Sequence, residues 1–146
     1  MKSLLKGNEF IRVSNAVAAG TSDINSDHVD MQNADRVAFL VLFGTITSGA
    51  ATSINVQQGA ASDDSDMADL TGTSVTVADT DNNKIAIVEV ERPQERYVRC
   101  VVDRGTQNAV VDGIIAIRGG LRNKPVTQGT TVLGSELHAS PAEGTA

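Results

Sequence analysis

The side chains of this sequence best able to do chemistry are a run of aspartates, a run of arginines, two histidines and one cysteine. Asp63, Asp64, Asp66 and Asp69 put four carboxylates within seven positions. A cluster of this kind could hold Ca²⁺, a hard cation that collects several oxygen ligands. The spacing is not that of an EF-hand, and no glutamate stands where a bidentate ligand would close the site. An acidic surface loop accounts for the same residues, so no metal is expected. Asp79-Thr80-Asp81-Asn82-Asn83 reads as a turn, because Asn and Asp tolerate left-handed backbone.

No catalytic constellation accompanies these carboxylates. His28 and His138 are far apart in sequence, and no HExxH, CxxC, GxSxG or Walker pattern occurs. Gly44-Thr45-Ile46-Thr47-Ser48-Gly49 lacks the lysine and following helix of a phosphate cradle. Cys100 stands alone, which rules out an intrachain disulfide and a thiolate metal site. It lies in an apolar run, where a small buried hydrophobe is the expected role. No catalytic residue and no cofactor are expected.

The arginines allow two readings. Arg92, Arg96, Arg99 and Arg104 surround the strand carrying Tyr97, and Arg118 and Arg122 close the next. Arg96 and Arg99 differ by three positions and so point to opposite faces of a strand. One of them then faces inward or to an edge and needs a carboxylate such as Glu95, Asp103 or Asp112. Pairing within the chain is the first reading. The second is an Arg-rich interface, with Arg92, Arg96, Arg99, Arg118, Arg122 and Lys124 as its candidates, joined by Pro125, Leu133 and Leu137 from the tail.

The elements that position these groups are strands. Of 146 residues only three are Phe and one is Tyr, with no Trp. The apolar content is therefore Val, Ile, Ala and Leu, and β-branched residues favour strands. Runs at 10–13, 28–31, 36–46, 52–57, 74–77, 84–91, 96–103 and 109–118 are separated by clusters of Gly, Asn, Asp, Ser and Pro. In Lys84–Glu91, Ile85, Ile87 and Val90 are expected to face inward. Arg36–Ile46 reads as a central strand covered on both faces. Asp64–Leu70 could make a turn of helix or a loop. Short strands with regular turns make an all-β sandwich, jelly roll or barrel of about eight antiparallel strands.

The expected organisation is an N-terminal arm (1–9), a β-sandwich or jelly-roll domain (10–120) and an extended C-terminal arm (121–146). The tail is rich in Gly, Thr, Ala, Ser and Pro, and by composition is a flexible extension. Such a segment becomes ordered only by packing, and a neighbouring subunit is the favoured support.

Charge and composition exclude several classes. Twelve basic and 18 acidic residues give a net charge of −6, which disfavours a protein that coats a duplex. Scarce aromatics disfavour a single-strand binder, which stacks bases on aromatic rings. The N-terminal residues lack the apolar stretch of a signal peptide, and Val37–Phe43 is too short to span a membrane. A soluble, cytoplasmically made protein is expected. From Thr21 to Asp81 there are ten acids and one base, a balance of −9; from Lys84 to Lys124, eight bases and five acids give +3. Solvated loop tips account for this, and so does a pair of oppositely charged docking surfaces.

Several segments resemble one known group. Arg92-Pro93-Gln94-Glu95-Arg96-Tyr97-Val98-Arg99, Asn108-Ala109-Val110-Val111-Asp112-Gly113-Ile114-Ile115-Ala116-Ile117 and Lys124-Pro125-Val126-Thr127 resemble small virion proteins of tailed bacteriophages. So do Ser53-Ile54-Asn55-Val56-Gln57-Gln58-Gly59 and the ending Ser135-Glu136-Leu137-His138-Ala139-Ser140-Pro141-Ala142-Glu143. The chain is thereby similar to capsid decoration, or cement, proteins.

That resemblance implies a non-enzymatic β-sandwich or jelly roll on the outer surface of the capsid, made in the host cytoplasm. Its implied partner is the major capsid protein of the same virus, with no direct nucleic-acid or membrane contact. Shell sites have local two-folds and three-folds, so a closed homo-oligomer is expected, a dimer ahead of a trimer. The alternatives are another phage head-neck or tail-associated β-sandwich, and a Ca²⁺- or carbohydrate-binding module. Scarce aromatics count against sugar binding.

Overall fold

The fold is an answer to where the Val/Ile runs can be buried. The computed structural model describes residues 3–145; residues 1, 2 and 146, the tips of the two expected arms, lie outside the described residues. One short helix, α1 (Leu4–Gly7), precedes β1 (Glu9–Ser14), β2 (Val17–Gly20), β3 (Ile24–Asn25), β4 (Val29–Asp30) and β5 (Arg36–Ile46). Then follow β6 (Thr52–Gly59), β7 (Ala68–Asp69), β8 (Val75–Val77), β9 (Ile85–Glu91), β10 (Tyr97–Arg104) and β11 (Ala109–Gly119).

The strands form two antiparallel sheets. The first runs β1-β11-β5-β9, with β2 also on β11; the second runs β3-β10-β6-β7, with β4 on β10 and β8 on β6. Side chains alternate faces along a strand, and every second residue of the long strands enters the space between the sheets. From the first sheet these include Val37, Phe39, Val41, Ile114 and Ala116. From the second they are Ile54, Val56, Val98, Cys100 and Val102. This is a β-sandwich, as composition and spacing predict.

Among the described residues, eleven strands replace the expected eight, the additions being β2, β3 and β7, only two to four residues long. In β9 the inward frame is the opposite of the one read from Ile85 and Ile87. Those two are 55% and 57% exposed, while Val88 is buried and Ala86 and Val90 pack against the core. Val90 does face in, as expected. Both frames of KIAIVEVE are apolar, and the register Leu40↔Ile87 and Val41↔Ala86 with β5 selects between them. Asp64–Leu70 forms turns and the short β7 rather than a helix. The helix lies at Leu4–Gly7, capped by the Ser3 side chain, which accepts from Lys6 N.

Candidate interaction surface

The arginines of the second half lie on or beside β10 and β11, and three of the six, Arg96, Arg99 and Arg118, meet carboxylates of the first half. Arg96 donates from Nε and Nη2 to the two carboxylate oxygens of Asp30, at 2.9 and 2.7 Å, and lies 5.3 Å from the Tyr97 ring centroid. The hydrogen bond from Arg96 holds the Asp30 carboxyl below its ordinary range, with smaller help from Gln32 N and Arg118 against the cost of burial. Arg99 donates to Gln57 Oε1 at 2.8 Å and stands 3.6 Å from Asp64. Arg118 pairs with Glu9 and donates to the Asp30 carbonyl. The partners are thus Asp30, Asp64 and Glu9 rather than Glu95, Asp103 or Asp112. Among the described residues, three of the ten acids between Thr21 and Asp81, namely Asp30, Asp64 and Asp81, pair with bases of the second half.

Arg104 plays a different part. It is 5% exposed and donates to the carbonyls of Ser22, Ala18 and Ala109 at 2.6, 2.9 and 2.9 Å. A planar guanidinium with five donors can satisfy several carbonyls at once, and here it fastens β2 and the β2–β3 turn to the sandwich.

The four clustered aspartates diverge. Asp63 accepts from Ser65 N, and the bonds from Ser65 lower its pKa. Asp64 accepts from His28 Nδ1 at 2.6 Å. Asp66 accepts from Ala60 N and Ala61 N. Asp69 accepts from the side chains of Asn55 and Gln57 at 2.6 and 2.8 Å. Among the described residues no group of three acidic, His or Cys side chains converges as metal ligands. A Cβ on Gly59 would stand 2.5 Å from Asp66 Oδ1, so a glycine lets that carboxylate fold back over the loop.

Nothing in the sequence signals the His28–Asp64 contact. The two residues are 36 positions apart, too far for any local pattern to mark the pair. His28 also meets Tyr97 edge-on, with ring centroids 4.7 Å apart.

The exposed candidates gather around the β4–β5 turn. Arg92, with φ 50°, donates its N–H to Asp35 O, and Arg122 donates its N–H to Asn33 O. Lys124 and Pro125 follow on the exposed surface. Arg92, Arg122 and Lys124 make no ion pair among the described residues.

Part of the C-terminal segment, Val126 to Thr131, is held by the chain's own domain. Val126 N donates to Lys6 O at 3.0 Å. Gln128 accepts from Phe10 N, and Thr131 Oγ1 accepts from Arg12 N. Val132 joins Phe10, Arg12, Leu42 and Ile115 around a groove of about 400 Å³. Beyond it, residues 133–145 are exposed, Leu133 and Leu137 included, and make no hydrogen bond to the domain among the described residues. The strap is therefore anchored for half its length and free for the other half.

No protein-family model matches the chain, and no curated protein matches it. Among solved structures it is similar in fold to the PBSX exported protein XepA, at 13% identity and a TM-score of 0.53. The likeness covers 96% of this chain and 46% of that one, so the chain spans a little under half the length of that protein.

Proposed function

We propose that this chain is a non-enzymatic structural protein of a tailed bacteriophage, a cement protein on the outer surface of the capsid. In this reading it forms a small homo-oligomer and clamps neighbouring major capsid subunits of a DNA-filled head. The observation that carries the reading is the half-anchored strap, together with the exposed basic side chains where it leaves the sandwich. An extended arm adds contact area and links subunits without needing a core of its own. Residues 133–145 could reach roughly 40 Å at full extension, far enough to leave the domain's own footprint. The sequence resemblance to decoration proteins supports this reading, and the likeness in fold to the PBSX exported protein XepA is consistent with its β-sandwich.

A second reading is a phage β-sandwich protein acting elsewhere, at the head-neck or on the tail. It is favoured by the likeness in fold to XepA, which is known as an exported protein of PBSX. A truncation separates the strap's role from folding. Ending the chain after Val132 keeps the bonds of Gln128 and Thr131, whereas ending it at Arg122 would strip the edge of β1. The 1–132 chain is expected to stay folded and to lose binding to expanded, undecorated heads of the phage that encodes it. Undiminished head binding by 1–132 would remove the strap from the clamp.

A further inference from the structure

The two sheets differ on the faces they turn away from each other. An antiparallel sheet covered on one side commonly carries polar residues on the other. The second sheet does so: Ser53, Asn55 and Gln57 on β6 and Arg99 and Asp103 on β10 alternate with the buried positions, beside Tyr97 and Val101. The first sheet does not. Leu40 and Leu42 on β5 and Ile115 and Ile117 on β11 are half-buried on its outer face, and Ile85 and Ile87 on β9 are exposed. The register joins them into one apolar surface, since Leu40 lies between Ile115 and Ile87, and Leu42 lies beside Ile85. A contiguous apolar patch on a soluble fold marks a surface that something covers.

The strap already covers the near end of this face. Val132 sits over the groove lined by Phe10, Leu42 and Ile115, with Arg12 and Asp112. The next residue, Leu133, is fully exposed, and so for the most part is Leu137, four positions on. Among the described residues six large apolar side chains are exposed; two are Ile85 and Ile87 on the bare face, and two are these leucines. The distances agree. Neighbouring strands lie about 4.8 Å apart, so β9 is roughly 10 Å across the sheet from β11. Residues 133–137 span up to about 17 Å when extended, enough to carry Leu137 to β9. That crossing runs over leucine and isoleucine, because Glu89 and Glu91 lie toward the far end of β9, opposite Ala38 and Arg36.

We propose that the free half of the strap has a second, closed position, in which Leu133 and Leu137 lie on the outer face of the first sheet of the same chain, against Leu42, Ile85 and Ile87. The structure holds the open position. The strap pivots after Val132, just beyond its last bonds to β1 through Gln128 and Thr131. Closing removes apolar surface from water on both sides of the contact and costs the conformational freedom of a short segment. The two terms are of similar size, so the strap is held weakly enough to be released. The purpose of the closed position rests on the reading of residues 133–145 as a clamp: it stows the leucines and covers the sheet face until a shell site takes the strap. Its existence does not depend on the shell.

The test therefore uses the full chain without heads. Ile87→Cys places a thiol on the face, while Cys100 is buried and gives no background. Its rate of labelling by a thiol reagent is compared with that of the same variant also carrying Leu133→Ser and Leu137→Ser, both changes at exposed positions. With the leucines in place labelling is expected to be slower by roughly twofold or more, twofold being the factor for a strap closed half of the time. Val75→Cys, on the second sheet, is expected to label at one rate with either tail. Equal rates at position 87 with either tail would overturn the inference. So would a tail-dependent rate at position 75, which would assign the effect to the domain as a whole. Protection at position 87 that disappears on dilution would place the strap on a second copy and overturn the closed position within one chain. If the rates at position 87 are equal and the strap is still needed for head binding, the closed position fails while the cement reading stands. If position 87 is protected at every dilution but no head is bound, the reverse holds.

Discussion

Gln128 accepts the backbone N–H of Phe10 at 2.9 Å while its amide nitrogen donates to the carbonyls of Leu5 and Asn8 at 3.0 and 2.8 Å. One side chain, 118 positions from Phe10, therefore closes the edge of β1 and ties down the helix that precedes it. The strap is part of the fold up to this point and an appendage after Val132.

Gln128→Ala should accordingly act on both. Losing three partly buried hydrogen bonds is expected to cost about 1–3 kcal/mol in urea unfolding. Cleavage of the 121–132 segment by a protease should quicken. Unchanged stability with an unchanged cleavage pattern would show that the side chain is not an anchor.

The Arg96–Asp30 pair makes a pH prediction. Asp30 has a folded pKa below its ordinary value of 3.8. Its contribution to stability is therefore complete above the unfolded value and is lost as pH falls through the folded one. Both side chains are more than a third exposed, so solvent screening limits the effect. Asp30→Asn should cost at most about 1 kcal/mol at neutral pH. The difference from wild type should close on acidification below pH 3.8, read by urea unfolding across a pH series. A difference that persists unchanged in acid would assign it to something other than the carboxylate's charge.

Arg104 should be far more sensitive than its exposed neighbours. Arg104→Met leaves the carbonyls of Ser22, Ala18 and Ala109 without their donor. A cost of about 3 kcal/mol or more is expected from three acceptors so deprived. Arg92→Ala, on the surface, should fall within about 0.5 kcal/mol of wild type. Comparable melting shifts for the two variants would contradict this assignment.

Burial pushes the Cys100 thiol up to about 12 from an ordinary 9.0. In the unfolded chain the thiol ionises near 9, so the folded state binds the extra proton between 9 and about 12. Stability should be whole below pH 9 and fall as pH rises through that window. A thiol reagent at about pH 8, below the ordinary ionisation range of a thiol, should leave the native protein unlabelled and react fully in urea. Rapid labelling of folded protein would contradict the buried placement.

How much of this is legible in the sequence depends on distance along the chain. Arg36–Ile46 is readable as a central strand, flanked by β11 and β9, but it is not covered on both faces as expected: Val37, Phe39 and Val41 are buried, while Ala38, Leu40 and Leu42 on the other face are half-buried. The turn at Asp79–Asn83 is readable too. The inward face of β9 is not, since Ile85/Ile87 and Ala86/Val88 are both apolar and only pairing with β5 chooses between them. The partners of Arg96, Arg99 and Arg118 are equally hidden. Asp30, Asp64 and Glu9 reach them from neighbouring strands and a loop of the same sheet that are distant in sequence, where spacing carries no signal. The tail's composition correctly marks it as lacking a core, but not that Gln128 and Thr131 stand where β1 leaves two N–H groups open.

Whether the chain binds and clamps a capsid shell is decided most directly by imaging. Under the cement reading, the purified chain would be mixed with expanded, undecorated phage heads, and the heads reconstructed by electron cryomicroscopy. Stoichiometric density is expected on the outer surface at fixed symmetry positions, with a strap reaching from each sandwich onto a neighbouring coat subunit. Heads left bare at saturating protein would contradict the cement role.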